Sequence, residues 1–157
     1  MTGALPCGVA PRGREGSVHL EGAAAGFDTH SDGDVLSHAL VDALAGALAD
    51  GDLGTHFPED DPDAEDARSL DFVVDFARTV QAANMEVANV DSFVVLGSTR
   101  LRPHVEQMRS NLAKALGVEL ERVSVKARSI DGIGPEGEGT AASASVAVLL
   151  RPRSTTT

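Results

Sequence analysis

The sequence predicts a single α/β (α+β) domain in which helices cover a mixed sheet. Three observations carry this. Leu, Val and Ala recur at helical spacing in three separate runs, Val-rich segments lie between those runs, and Gly, Pro or Asn stands at most of the boundaries. The expected content is three main helices and roughly four or five strands. A length of 157 residues suits one core. No repeat or linker divides the chain, so residues 1–157 are read as one domain with frayed ends at 1–5 and 152–157.

The first helix follows Ser31, whose spacing to Asp34 is that of a capping box. Leu36, Leu40, Leu44 and Leu48 repeat every four residues beside Val35, Ala39, Ala43 and Ala47, and Gly51 is the expected stop. Asp34, His38 and Asp42 repeat on a different face of this helix. Residues 52–67 read as an acidic loop punctuated by Pro58 and Pro62. A second helix is predicted over Ser69–Ala83, with Leu70, Val73, Val74, Ala77 and Val80 inward and Asn84 as its stop. Val87–Leu96 reads as a strand closed by Gly97. Pro103 opens a third helix carrying Val105, Met108, Leu112 and Leu116, with Gly117 as its cap. Val123 and Val125 alternate with Ser124 and Lys126 as a strand. A glycine-rich loop, Asp131–Gly139, leads to a last strand near Ala141–Leu150, and the tail from Arg151 is polar and read as frayed. Two short strands, Cys7–Ala10 and Ser17–Leu20, are the most the first thirty residues offer.

Composition narrows the function. Hydrophobic residues make up 42% but aromatics only 3%, so the core must be built from Ala, Val and Leu around Phe27, Phe57, Phe72, Phe76 and Phe93. A formal charge of −11 repels phosphate backbones and argues against nucleic acid as a partner. It would repel a diphosphate as well, unless metal ions or a local basic cluster reverse the field. Cys7 is the one cysteine, which fits a reducing cytoplasm, and no stretch is long and apolar enough for a membrane span or an export signal.

Three polar groupings are candidates for chemistry: the stripe Asp34–His38–Asp42 beside His30 and Ser31, the acidic loop, and the segment Lys126, Arg128, Ser129 and Asp131. Taken singly, each also fits a solvated surface. Their order and wording give more. The run from His30 to Pro62, HSDGDVLSHALVDALAGALADGDLGTHFPEDDP, resembles the signature of the 2-C-methyl-D-erythritol 2,4-cyclodiphosphate synthases: HSD(G/A)DV, HAL.DALLGA and GDIG..FPDTDP. LRPHVEQMRSNLAKALG is similar to that family's L.PHI..MR..LA..LG, and VSVKARSIDGIGPEGEG to its VNVKATT.E.LG..GRGEG. The resemblance runs in register over roughly residues 30–150.

It implies a cytoplasmic homotrimer of the isoprenoid (methylerythritol phosphate) pathway, with active sites between neighbouring subunits. The implied reaction is that of a phosphorus-oxygen lyase. The 2-phosphate of a CDP-linked methylerythritol attacks the β-phosphorus, giving a cyclic diphosphate and CMP. Zinc and a second divalent ion, magnesium or manganese, hold the diphosphate. By the same resemblance His38 takes the helix-borne zinc position, His30 and Ser31 contact the substrate phosphate, and Asp52 and Gly54 lie near the ribose. Glu59 and Asp61 approach the methylerythritol part, Leu96–Pro103 with Thr99 and Arg100 wraps the cytosine, Lys126 and Ser129 line the substrate, and Asp131 takes the magnesium position.

The first strand departs from the family. Its G(F/Y)DVH supplies an Asp and a His to zinc, and the matching Gly8–Arg12 puts Ala10 and Arg12 there. Ala has no donor and Arg stays protonated, so tight zinc is not expected. Gly26–His30 spells the same pattern but already supplies the HSDGDV histidine. GRGEG reads Pro135-Glu136-Gly137-Glu138-Gly139, in which the arginine's charge is reversed. Two functions follow: a zinc-independent synthase of altered substrate in which Arg12 shares the metal's electrostatic task, or a non-catalytic trimeric paralogue that binds nucleotide as a scaffold.

Overall fold

The computed structural model describes residues 34–58, 68–97 and 100–154. In chain order the elements are α1 (Val35–Leu48), α2 (Leu53–His56), α3 (Ser69–Ala82), β1 (Met85–Val95), α4 (Val105–Leu116), β2 (Val123–Arg128), α5 (Gly134–Glu138) and β3 (Ser143–Pro152). The three long helices are those read from the periodicity, and among the described residues the sheet has three strands. The two further expected strands, like the expected frayed end at 1–5, lie outside the described residues.

α1 starts later than the capping-box spacing suggested, because Asp34 is itself the N-cap. Ser37 donates its N–H to Asp34 Oδ1 at 3.0 Å and its hydroxyl to Oδ2 at 2.7 Å. Its stop also differs: Ala49 adopts the left-handed conformation at φ 54° and closes the helix before Gly51 is reached. α3 ends as expected, with Asn84 at φ 62°, and α4 ends on Gly117 at φ 66°. The side chains of α3 that face inward are Leu70, Phe72, Val73, Phe76, Ala77 and Val80, whereas Val74 is only half-buried. The buried face is centred on Val73, Phe76 and Val80, and Val74 lies about 200° round the helix from Phe72 and Phe76, which leaves it at the edge of that face.

β1 is the centre of the sheet, in the order β2-β1-β3. It pairs parallel with β2 from Val90↔Val123 to Val95↔Arg128 and antiparallel with β3 from Met85↔Pro152 to Val95↔Ser143, with a register shift between Val87 and Asn89. The sheet's inner rows, Val90–Val123–Val148 and Ser92–Val125–Val146, face the helices. The outer rows, Asp91–Ser124–Ala147 and Phe93–Lys126–Ser145, alternate with them. The C-terminal end is tied down further than expected. Arg151 bonds Glu86 at 2.6 Å, and Arg153 N–H donates to the Asn84 carbonyl at 3.0 Å.

Leu40, Val41, Leu44, Val73, Val90 and Val94 are fully buried, with Phe76 at 1% exposure as the largest side chain of the centre. No described helix is long and apolar enough to cross a membrane. Leu44 and Leu149 make a test of this layering, since Leu44 is sealed and Leu149 is 62% exposed on the outer face. In urea unfolding of the separated chain, Leu44→Ala should cost about 2–5 kcal/mol. Leu149→Ala should stay within about 0.5 kcal/mol of the parent.

Candidate active site

The polar stripe on α1 is an anchor for neighbouring segments. Asp34 caps the helix, and Asp42 Oδ1 accepts the Leu53 N–H at 2.8 Å, which fixes where α2 begins. His38 Nε2 and Ser69 Oγ lie 2.9 Å apart, joining α1 to the first turn of α3, and the His38 ring sits 6.4 Å from that of Phe72. Asp52 is the N-cap of α2. Its Oδ1 accepts both the Thr55 hydroxyl at 2.7 Å and the Thr55 N–H at 2.8 Å. The hydroxyl first, then the N–H, hold the Asp52 carboxyl below the usual carboxylate range. Gly54 lies exposed within the same turn.

A second region forms at the carboxyl ends of the parallel strands. Leu96 and Gly97 continue β1, and Leu96 N–H bonds the Arg128 carbonyl at 3.1 Å, so the two strand ends stay together. Residues 131–139, read from sequence as a loop, contain the turn α5, which packs back on Gly97. Gly97 N–H donates to the Glu136 carbonyl at 2.7 Å. A Cβ on Gly97 would come within 2.3 Å of the Gly137 carbonyl oxygen, and one on Gly137 within 2.7 Å of the Gly132 carbonyl carbon. Glycine is required here by close approach. Asp131 opens this turn in the left-handed region at φ 50° and is exposed.

Beside this turn lies a cleft of about 760 Å³ lined by Leu96, Gly97, Arg100, Leu101, Arg102, Pro103, Ala127, Arg128 and Ser129. It brings together Arg100 and Ser129, two of the expected substrate contacts. Arg102, within the loop expected to wrap the cytosine, and Arg128, a member of the third polar grouping, join them, although neither was singled out as a substrate contact. The signal was present in three arginines at 100, 102 and 128 of an acidic chain. Arg128 lies 5.2 Å from the centroid of the Phe93 ring. Lys126 lies outside this lining, its ammonium 2.6 Å from Asp91 on the outer sheet face. His38, Asp52 and Gly54 are not part of the lining either. Ala10, Arg12, His30, Ser31, Glu59, Asp61 and Thr99 lie outside the described residues.

Among the described residues no group of three His, Cys, Asp or Glu side chains is placed to hold a metal ion. His38 Nε2 is engaged with Ser69 Oγ. The described donors therefore do not make a zinc site. Asp131, a single exposed carboxylate, fits only the kind of magnesium site that substrate oxygens and water complete.

A profile of the YgbB family matches residues 15–151. The chain belongs to the YgbB family. The 2-C-methyl-D-erythritol 2,4-cyclodiphosphate synthase of Syntrophomonas wolfei is 48% identical over 121 residues, which are 77% of each chain. Among solved structures, the bifunctional IspDF of Campylobacter jejuni superposes with a TM-score of 0.82 at 30% identity, over 88% of this chain and 37% of that one. The CDP complex of IspF from Plasmodium falciparum gives 0.71 at 28%, over 80% of this chain and 76% of that one. The family expected from the HSDGDV and PHV motifs is thus the family found, and the α+β fold with it. Ala10 and Arg12 precede the matched stretch.

Two measurements test this geometry. Gly97→Ala should lower stability by about 1–3 kcal/mol in urea unfolding, because backbone rather than a side-chain tip must move. Asp52→Asn should melt below the parent at neutral pH. A carboxyl whose folded pKa is depressed stabilises above its unfolded pKa, and that gain disappears as pH falls through the folded value. The gap in melting temperature between the two proteins should therefore close only in acid, below about pH 4.

Proposed function

We propose that this chain is a cyclodiphosphate-forming phosphoryl-transfer enzyme, acting on a CDP-linked methylerythritol 2-phosphate or a close analogue. The observation that carries the reading is the cleft at the β1 and β2 ends, where Arg100 and Ser129 converge beside Asp131 in a chain aligned with named synthases. In the reaction a 2-phosphate oxygen bonds to the β-phosphorus while the bridging oxygen leaves with CMP. Little covalent help is needed from side chains. Alignment and charge neutralisation lower the barrier. Asp131 would hold magnesium or manganese together with the diphosphate, and the ion would supply positive charge to it. Arg12 is assigned part of the charge that zinc would otherwise bring.

The site is read as shared between subunits. The α1–α2 group (His38, Asp52, Gly54) and the cleft lie apart in the lining of this one chain, and a homotrimer would bring one against the other's neighbour. The outer sheet face, with Asp91, Lys126, Ser145, Ala147 and Leu149 exposed, is the surface such an assembly would bury. The second reading, a non-catalytic trimeric paralogue, draws support from Ser69 on His38 Nε2 and from Ala10 and Arg12 at the first-strand motif.

Incubation with the CDP-linked substrate and magnesium should release CMP, followed by chromatography. Asp131→Asn should lower the rate by roughly 10- to 100-fold. Binding of CDP with no CMP release would favour the paralogue. Light scattering at micromolar concentration should give three times the chain mass, and a monomer would remove the shared site. Zinc should bind weakly to metal-free protein, and stoichiometric tight zinc would restore Asp28 and His30 as candidate ligands.

A further inference from the structure

Another cavity lies at the opposite end of the sheet from the cleft, where Glu86 and Val87 begin β1. Its volume is about 210 Å³. Pockets for drug-sized ligands run to roughly 300–1,000 Å³, so this one suits a smaller metabolite. Its floor is apolar, made by Ala77 and Val80 of α3, Val87 of β1, and Leu116 and Val118 at the end of α4. The polar rim holds Gln81, Glu86, Glu119, Arg122 and Arg153. Two of these charges are engaged within the protein. Glu86 pairs with Arg151 at 2.6 Å and Arg122 at 3.6 Å, and Arg122 Nη1 also donates to the Val87 carbonyl at 3.0 Å. Glu119 and Arg153 differ. Among the described residues neither side chain has a hydrogen-bond or ion-pair partner. Both backbones are nonetheless fixed: the Glu119 carbonyl accepts the Arg122 N–H at 3.0 Å, and the Arg153 N–H donates to the Asn84 carbonyl at 3.0 Å.

Two unengaged charges of opposite sign on one small rim select ligands by charge. The cationic side lies at the sheet edge. Arg122 is tied there to Val87, and Arg153 follows Pro152, the register partner of Met85. The anionic side lies at the end of α4, where Glu119 follows Leu116, Gly117 and Val118, and the helix C-terminus adds partial negative charge. A monoanion would gain Arg153 but meet Glu86 and Glu119. A monocation would gain Glu119 but face Arg122 and Arg153. A neutral ligand would take water from both charges and give nothing in return. A zwitterion satisfies both sides, because a carboxylate accepts from guanidinium N–H groups while an ammonium donates to a carboxylate. An α-amino acid carries the two groups on one carbon, and an aliphatic side chain can reach the apolar floor. We propose that this cavity binds a free aliphatic α-amino acid, its carboxylate on Arg153 and Arg122 and its ammonium on Glu119. The cavity shares no lining residue with the cleft, so the site stands apart from the synthase reading and does not depend on it.

Amide NMR titration of the full chain with L-leucine tests it. The backbone signals of Gly117, Val118, Glu119 and Arg153 report on the cavity, and Gly97 in the cleft serves as the control. Saturable shifts should appear at the first four and not at Gly97. Three analogues each remove one feature: leucinamide lacks the carboxylate, isocaproate lacks the ammonium, and glycine lacks the side chain. Each should bind about tenfold or more weakly than leucine, through loss of a charge-assisted hydrogen bond or of apolar burial. Glu119 and Arg153 are exposed, so Glu119→Gln and Arg153→Gln should leave the rest of the spectrum as in the parent. Each should weaken leucine by about tenfold or more. Absence of saturable shifts in the parent chain up to about 10 mM leucine overturns the proposal without recourse to any variant. Leucinamide or isocaproate binding as tightly as leucine overturns it too, as does unchanged leucine affinity in either variant. Shifts confined to Gly97 and its neighbours would place leucine in the cleft and overturn it equally.

Discussion

The β1 ladder is the constraint on which the other elements depend. One strand carries both of the sheet's pairings, parallel on one side and antiparallel on the other. Its side chains must therefore serve two faces at once. Val90 and Val94 are sealed beneath the helices, while Asp91 and its neighbours in register stand on the opposite surface. A one-residue slip of either partner would exchange these faces, and the buried Val rows make that slip costly. The parallel partner also decides where chemistry can sit, since it places the ends of β1 and β2 at one edge. The antiparallel partner leaves that edge and returns the chain to Asn84.

At that edge the packing is unusually close for backbone. Gly97 and Gly137 let α5 sit directly on the end of β1, so the turn that borders the cleft is held backbone to backbone. A rigid wall suits a site whose work is alignment. The acids elsewhere serve a related purpose: Asp34, Asp42 and Asp52 are each spent on backbone N–H groups that start helices. They hold α1 and α2 in place.

Charge is distributed to match. The molecule as a whole repels anions, yet the cleft lining is cationic, and such local reversal focuses the field on the opening.

The sequence by itself determined the family, the three long helices, the three described strands to within a few residues, and the acidic character that argues against nucleic acid. Those properties are local or textual: periodicity, boundary residues, and motifs read in order. Tertiary structure alone decided the rest. Asp34 rather than Ser31 caps α1, because hydrogen-bond geometry and not spacing chooses a cap. Phe72 and Phe76 are buried while Val74 is half-buried, because the packing of α3 on its neighbours decides which face turns inward. Arg151–Arg153 is held although it reads as a polar tail, because Glu86 and Asn84 lie beside it only once β3 has paired with β1. Arg102 and Arg128 share a cleft because β2 returns parallel to β1, and a contact between residues far apart in sequence has no signature in either segment alone.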